Sequence, residues 1–396
     1  MKFKKFQKND NKITFIVDEI DVSIMNSIRR VILADVPNVA FDFQPYEFQE
    51  KKINIIENTC SLHNEIILQR LSMIPLKFDE NEIHNFETTK YKFRLKKVNN
   101  TNKMMSITTE HIEIYDQNDK KYPEKFIRKI FPKNKLSGSF ILLTKLKPNL
   151  FDKDKGDIID ISMMASKKTA NEYAGFGYVN QCVYSNVVDE KLAKQELDKI
   201  LENSKDLSRK DLEKDFNTLD KYRYFVKNEY DEPKRFEYNI ECESRVTPEF
   251  LFFKAIIILK KRLEHLITNI IDNKVKKEKI KEGNNFYIFE ITNEKHTIGN
   301  LIQSLFYNKF IREEKGKVIE YIGYNCPHPL EDKLVLKIKF NEKIKESEIN
   351  GIIIDDGLVY IQNYLDIINK KWIETSGLDK KLLNNKPIEE VEDYLS

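Results

Sequence analysis

The sequence reads SIMNSI at residues 23–28 and, much later, TIGNLI at residues 297–302. An alternating segment precedes each stretch at the same distance, ITFIV at residues 13–17 and YIFEI at residues 287–291. The alternation predicts a β-strand, and the apolar spacing that follows it predicts an amphipathic helix. The chain therefore contains an internal repeat of one strand-and-helix module.

Apolar side chains form one stripe along each of the two predicted helices. The stripe residues are Ile24, Ile28, Val31 and Ile32 in the first copy, and Ile298, Ile302, Leu305 and Phe306 in the second. Stripes this wide are too apolar to face water, so the two modules should pack against each other about a pseudo-two-fold axis. We predict that these eight residues form an intramolecular dimer interface.

The ends of the helices can also be predicted. The hydroxyls of Ser23 and Thr297 are good N-caps for the two repeated helices, and Pro37 should stop the first of them. Each module should close with a long apolar helix. The first opens at TPE, residues 247–249, and its counterpart begins near Ser347.

Composition changes divide the chain further. The predicted parts are a first module at 1–78 and 232–272, an inserted α+β domain at 79–231, a linker at 273–284 and a second module at 285–396. The linker is charged and has no apolar stripe, which indicates a tether or a solvated helix end. The charged stretch 189–228 favours a solvated surface helix over a docking helix. The predicted fold class is α+β, an intramolecular pseudo-dimer of related modules with an inserted domain.

The overall composition excludes several classes of protein. With 396 residues, 40% of them hydrophobic, the chain can bury more than one core. No apolar run approaches the roughly 18 residues of a membrane span, and the start has no secretory pattern. The net charge of +3 gives little attraction to nucleic acid. The cysteines are far apart in sequence, which favours lone, partly buried thiols: Cys60, Cys182, Cys242 and Cys326.

The first helix lies in a longer motif. DVSIMNSIRRVILADVP at residues 21–37 and NTCSLHNEIILQRLSMIPL at residues 58–76 resemble the third subunit of eukaryotic RNA polymerase II. The archaeal counterpart of that subunit and the amino-terminal domain of the bacterial alpha subunit are similar too. The resemblance covers nearly all of the first module but only scattered pieces of the insertion, such as residues 161–178.

The back half resembles the usual partner of that subunit. NEKHTIGNL at residues 293–301 and GYNCPHPL at residues 323–330 are similar to the eleventh subunit of RNA polymerase II and to its archaeal counterpart. This resemblance continues to about Phe340. Two partners fused in one chain look like the arrangement in large cytoplasmic DNA viruses. The lack of a strong basic cluster favours the cytoplasm, such as a viral factory, or the virion over the nucleus.

The resemblance implies a scaffold. In this family the dimer is the platform on which the two largest polymerase subunits assemble, so these and the small polymerase subunits are the implied partners. It implies no catalytic residue, no cofactor, no homo-oligomer, and DNA contact only through the complex. By the family pattern Arg29 and Arg30 reach the large subunits, whereas the matching positions in the second copy are Gln303 and Ser304. Two solvated helix arginines are the alternative interpretation.

Two further residues are weaker candidates for the large-subunit interface. Arg70 could instead pair with Glu65 on its own helix or remain solvated. Asn26, which matches Asn300, could instead hydrogen-bond across the module interface or face solvent.

Many relatives hold zinc or an iron-sulfur cluster on cysteines in the inserted domain. Only Cys182 lies between residues 79 and 231 here, so we predict no metal. The pair of prolines around His328 favours a rigid turn over a metal site. An enzyme related to the zinc deaminases would match His63 and Glu65 but lacks the required cysteine pair. The remaining alternative is a sequence-independent nucleic-acid-binding protein, because Lys and aromatic residues interleave at 121–129.

We predict that Ile28→Asp destabilises the whole chain. A carboxylate in the module interface would be buried without a partner, which costs roughly 3–5 kcal/mol. Thermal melting followed by circular dichroism measures the effect. An unchanged melting curve would contradict the paired-module hypothesis.

Overall fold

A computed structural model describes residues 1–42, 52–149, 151, 156–203, 208–280 and 285–378. The fold is α+β. The strands, in chain order, are β1 Lys2–Asn9, β2 Lys12–Asp18, β3 Asn38–Phe41, β4 Ile53–Asn58, β5 Lys92–Val98, β6 Met105–Thr108, β7 Ile112–Tyr115, β8 Leu142–Leu146, β9 Ile158–Lys168, β10 Val179–Asn186, β11 Arg235–Cys242, β12 Lys276–Lys279, β13 Phe286–Thr292, β14 Ile319–Asn325 and β15 Lys333–Phe340.

The helices alternate with these strands. They are α1 Val22–Ala34, α2 Asn64–Ser72, α3 Glu80–His84, α4 Glu124–Ile130, α5 Glu190–Asn203, α6 Arg209–Asp215, α7 Pro248–Ile271, α8 His296–Phe306, α9 Ile349–Gly351 and α10 Val359–Ser376. A π-helical segment, Tyr307–Glu313, continues α8, and a second, Ile352–Leu358, joins α9 to α10.

The chain forms two compact units. The first unit combines residues 1–32, 181–241 and 248–396, and the second combines residues 33–180 and 242–247. Both repeated helices and both long closing helices lie in the first unit, as expected for a pseudo-dimer.

The two modules of the first unit share one topology. The first sheet has the strand order β1-β2-β11-β10, and the second has β12-β13-β15-β14. A helix follows the second strand and another follows the fourth strand of each module, α1 and α7 in one and α8 and α10 in the other. The side chains of β2 and β11 alternate between buried and half-buried, as period-two patterning requires. The repeat seen in the sequence is therefore a structural repeat of two four-stranded sheets.

The boundaries of the inserted unit differ from the predicted ones at 78/79 and 231/232. β9 pairs with β3, β4 and β5, so the chain leaves the first sheet directly after α1. The chain returns earlier than predicted, because β10 is the edge partner of β11. The charged stretch that contains α5 and α6 therefore belongs to the first unit. Only Ala193 of α5 is buried, as predicted for a solvated surface helix.

The predicted linker also needs correction, because it contains β12. Lys276 to Lys279 pair antiparallel with β13 and form one edge of the second sheet. Alternating charged residues are compatible with an edge strand, where lysines discourage pairing with other chains.

The predicted helix caps are wrong, although the predicted end of α1 before Pro37 and the predicted start of α7 at residues 247–249 are confirmed. Ser23 lies inside α1, and the Asp21 carboxylate accepts from both its amide (2.7 Å) and its hydroxyl (2.5 Å). α8 begins at His296, before Thr297, and the residue at its N-cap makes no side-chain capping bond. The Thr297 hydroxyl serves a different purpose, because it accepts a hydrogen bond from another helix.

The second unit is built on β9, the long strand of a five-stranded sheet. The segment 242–247 joins this unit through Arg245, whose guanidinium forms ion pairs with Asp79 (2.7 Å) and Glu82 (2.9 Å) at the start of α3. Asp79 and Glu82 also complete a capping box on α3. Strands β5 and β8 lie within a residue or two of their predicted positions near 91–98 and 140–145.

Gly357, in the π-helical segment before α10, permits close contact with α8. A Cβ atom at this position would lie 2.2 Å from Cζ of Phe306, which is itself fully buried. We therefore expect Gly357→Ala to lower the free energy of unfolding by about 1–3 kcal/mol through overpacking. Gly351→Ala is the matched control, since its nearest neighbour would be 3.9 Å away. That change should stabilise the helix by about 0.5–1 kcal/mol. Denaturant unfolding of both variants measures the difference, and equal effects would contradict the close contact.

Asp18, at the end of β2, forms two ion pairs with the neighbouring strands of the first sheet. Its buried carboxylate accepts from Lys4 (2.6 Å) of β1 and Arg235 (2.8 Å) of β11. The Arg235 hydrogen bond, chiefly, lowers the pKa of Asp18 from 3.8 to about 2. Folding therefore favours the ionised form. The stabilisation is complete above the unfolded pKa near 4 and is lost as the pH falls toward 2.

We predict that Asp18→Asn costs about 2 kcal/mol of stability at pH 7. The difference from the unmodified protein should shrink as the pH falls from 5 to 2.5, because protonation removes the same ion pairs. Urea unfolding at several pH values tests this. Glu19→Gln is the control, because the Glu19 side chain is 61% exposed. A difference independent of pH would rule out the ion-pair explanation.

Candidate subunit-docking surface and module interface

The long closing helices pack across the module boundary in a reciprocal way. Trp372, near the end of α10, is fully buried, and its ring centroid lies 4.8 Å from that of Phe15 in the first sheet. Near the end of α7, Leu266 and Ile270 line a small apolar cavity together with Phe289 of the second sheet. Phe15 and Phe289 occupy matching positions in the repeat. Each module thus covers the sheet of the other, as a two-fold interface requires.

The repeated helices α1 and α8 also meet at matching positions. Nε of Arg30 donates to the Thr297 hydroxyl (2.9 Å), and the Ser304 hydroxyl donates to the Asp21 carboxylate (3.0 Å). Ser304 is the repeat equivalent of Arg30. The Ser27 hydroxyl adds a bond to the Thr297 carbonyl (3.3 Å). The helices run antiparallel, with the start of one near the end of the other.

The eight residues predicted for the intramolecular interface are all buried within the first unit. None is more than 5% exposed: Ile24, Ile28, Val31, Ile32, Ile298, Ile302, Leu305 and Phe306. The role of each single residue in holding the modules together stays a prediction.

Two bidentate ion pairs between the modules, within the described residues, were not predicted from the sequence. Arg262 of α7 forms one of them with Glu294, through Nε to Oε1 (3.0 Å) and Nη2 to Oε2 (2.5 Å). Arg312, beyond α8, forms another with Glu232 (2.7 and 2.5 Å), and its guanidinium also lies over the Tyr230 ring. This pairing lowers the pKa of Glu232 and raises that of Arg312. No local pattern could reveal these pairs, because their members are far apart in the chain.

Arg29 and Arg30 lie side by side on α1, and Asn26 is on the same helix. Oδ1 of Asn26 accepts from Nε (3.1 Å) and Nη2 (2.9 Å) of Arg29. Arg29 is half-buried and Arg30 is exposed. Within the described ranges, neither guanidinium has a carboxylate at ion-pair distance. Asn26 thus fixes the orientation of Arg29, and it makes no hydrogen bond to the described residues of the second module.

Arg70 lies in the second unit, on the exposed side of α2. Its Nη2 donates to the backbone carbonyl of Leu142 (2.9 Å), and the alternative pair with Glu65 does not form. The structure thus places Arg70 in a different unit from Arg29 and Arg30.

The stretch at 121–129, which motivated the nucleic-acid alternative, is occupied by internal contacts. The rings of Tyr122 and Phe126 stack at 4.8 Å and pack with Tyr91. Lys121 pairs with Glu113 (2.6 Å). The ring faces that would stack on bases are therefore partly used inside the second unit.

The thiols and possible metal ligands are scattered. The four cysteines form no disulfide, and burial raises the pKa of Cys182 to about 11. In the part of the chain that the structure describes, no three His, Cys, Asp or Glu side chains converge in a way that could hold a metal ion. None of the helices in the described ranges has the length and apolarity of a membrane span.

Family comparisons match both modules. Residues 14–263 match the RNA polymerase Rpb3/Rpb11 dimerisation domain, and residues 287–371 match a second family of the same description. The first match alone spans more than half of the chain. The chain belongs to the RNA polymerase Rpb3/Rpb11 dimerisation domain family. The pseudo-dimer of the first unit is therefore a pair of family modules in one polypeptide.

Named relatives are similar over parts of the chain. The DNA-directed RNA polymerase subunit Rpo3 of Pyrococcus horikoshii is 39% identical over 77 residues, which are 19% of this chain and 26% of the relative. Rpo3 of Thermococcus kodakarensis is 40% identical over 76 residues, with the same shares. The chain thus spans about a quarter of the length of these archaeal relatives. The subunit RPAC1 of RNA polymerases I and III of Saccharomyces cerevisiae is 24% identical over 317 residues, 67% of this chain and 88% of the relative.

Proposed function

We propose that this chain is a non-catalytic assembly subunit of a multi-subunit DNA-directed RNA polymerase. It serves as the platform on which the two largest subunits associate, and small polymerase subunits dock on it as well. The observation that carries the proposal is the presence of two dimerisation modules of this family, folded against each other in one compact unit. Its relatives are named as polymerase subunits.

The surface of α1 is the proposed contact with a large subunit. Arg29 and Arg30 present two guanidinium groups that lack a carboxylate partner in the described ranges, and only some of their N–H donors are used within the chain. Guanidinium groups bind carboxylates or backbone carbonyls through paired hydrogen bonds. The repeat supports a contact that the first module alone makes with a large subunit, because Gln303 and Ser304 occupy the positions of both arginines in the second module. Asn26 positions Arg29, and Arg70 adds a separate contact from the second unit.

The fusion makes the pairing independent of protein concentration. A short tether holds two modules at an effective concentration around millimolar, so the paired platform forms without a second chain. The platform needs no homo-oligomer and meets DNA only through the complex. We place it in the cytoplasm, such as a viral factory, or in the virion. A nucleic-acid-binding protein remains the alternative, and the internal contacts of residues 121–129 speak against it.

We predict that Arg29→Ala combined with Arg30→Ala weakens capture of the large subunits at least tenfold and leaves the fold intact. Loss of two charge-assisted contacts, each worth about 1.5–3 kcal/mol, gives this magnitude. Affinity purification of the tagged chain from its native source, followed by quantitative mass spectrometry, measures the large subunits recovered. Thermal melting confirms folding.

The control for this experiment is Arg209→Ala combined with Arg223→Ala, which removes two arginines that are each 77% exposed. The control should recover the full set of subunits. A complete polymerase recovered with the Arg29 and Arg30 variant would refute the proposed contact. Recovery of single-stranded nucleic acid in moderate salt without polymerase subunits would favour the alternative.

A further inference from the structure

The side chain of Arg30 reaches from α1 to the first turn of α8. Its Nε donates to the hydroxyl of Thr297 (2.9 Å), a residue that is only 7% exposed. Arg30 itself is exposed, and neither of its two Nη atoms donates a hydrogen bond to the described residues. The guanidinium is therefore anchored at its Nε and open at the outer edge that the two Nη atoms form.

Arg29 is anchored in a similar way. Oδ1 of Asn26 accepts from its Nε and Nη2, whereas Nη1 makes no hydrogen bond to the described residues. Both anchors are neutral oxygen atoms, so they orient the arginines without neutralising them. The outer edge of a guanidinium binds a carboxylate through two parallel N–H bonds. Each anchor thus leaves the charge and donors of its arginine for a partner.

The repeat explains why the second module gives Arg30 no carboxylate. At the other end of the helix pair, the hydroxyl of Ser304, the repeat equivalent of Arg30, donates to the carboxylate of Asp21 (3.0 Å). The repeat equivalent of Asp21 is a cation, Lys295, which forms an ion pair with Asp332 of its own module. Among the described residues, the second module therefore offers Arg30 a neutral hydroxyl in place of an acid.

We propose that Thr297 is a positioning residue for Arg30, so that both modules build the surface that binds a large polymerase subunit. The partner group is a carboxylate of that subunit, which bonds to the outer edge of the Arg30 guanidinium and lies over the boundary between α1 and α8. The binding surface is then complete only when the two modules are paired. The inference rests on the proposed function, because it concerns the same surface of α1.

Substitutions of Thr297 in the full-length chain test the proposal. Thr297→Val removes the hydroxyl at nearly constant size, and Thr297→Ser retains it. We expect Thr297→Val to lower recovery of the large subunits roughly three- to tenfold, because a released Arg30 side chain must be ordered on binding. Thr297→Ser should recover the wild-type amount. Affinity purification of the tagged chains from the native source, with quantitative mass spectrometry, measures recovery.

A double-mutant cycle separates positioning from a purely structural role. Thr297→Val combined with Arg30→Ala should recover as much of the large subunits as Arg30→Ala alone, because the hydroxyl then has no guanidinium to hold. In the background of Arg29→Ala, the effect of Thr297→Val should persist. An effect of equal size with and without the Arg30 side chain would overturn the proposal.

Ser304→Ala is the matched control, because it removes the hydroxyl contact at the other end of the same helix pair and touches no arginine. It should recover the wild-type amount of the large subunits, and thermal melting checks the folding of every variant. Equal losses from Ser304→Ala and Thr297→Val would show that both hydroxyls act by holding the modules together, and would overturn the proposal. If Thr297→Val does not fold, Thr297→Ala removes the same hydroxyl without a larger side chain and should give the same loss.

The results also separate this inference from the proposed function. Loss of the large subunits with Arg30→Ala but not with Thr297→Val would overturn the positioning role and leave the contact of α1 intact. Wild-type recovery with Arg29→Ala and Arg30→Ala together would refute the contact itself, and the positioning role with it.

Discussion

The structure of the first unit depends on apolar helices that cover the sheet of the neighbouring module. The ends of α7 and α10 reach past their own sheets, and Leu266 and Trp372 fill space against the opposite one. Neither sheet is fully covered by helices of its own module. The hydrophobic effect therefore makes pairing part of folding, since each module alone would leave this surface in water.

Backbone symmetry in this chain coexists with side-chain asymmetry. The two modules have the same strand order and the same helix positions, so helices and sheet are arranged in the same way in both. Once packing is satisfied, surface and boundary positions can differ. In the alignment of the two modules, Gln303 and Ser304 stand where the first module has Arg29 and Arg30, and Glu294 stands where it has Ile20. Two non-identical modules can therefore present different surfaces to different partners. Two identical modules would present the same surface twice.

The inserted second unit illustrates how a module tolerates a long interruption. Its main segment begins at Leu33, in the last turn of α1, and ends at Asn180, at the start of β10, and both of these elements otherwise belong to the first module. Loop-closure entropy rises only slowly with length, so an insertion that has its own sheet imposes little cost on the module that carries it. The shorter insertion with α5 and α6 enters between β10 and β11, where the second module has only a short connection. Both insertions lie between strands and leave the shared sheet intact.

The sequence by itself determined the repeat, one strand of each module (β2 and β13), the repeated and closing helices, and the apolar stripes, because neighbouring residues along a strand or helix alternate between buried and exposed positions with a fixed period. It also carried the motifs of the family. It did not determine the boundaries of the inserted unit, since the partner of a strand such as β10 is chosen by pairing across many residues. Nor did it reveal that Thr297 accepts from Arg30, or that Arg262 meets Glu294. Those contacts join residues hundreds or tens of positions apart, and only the packing of helices decides which side chains meet.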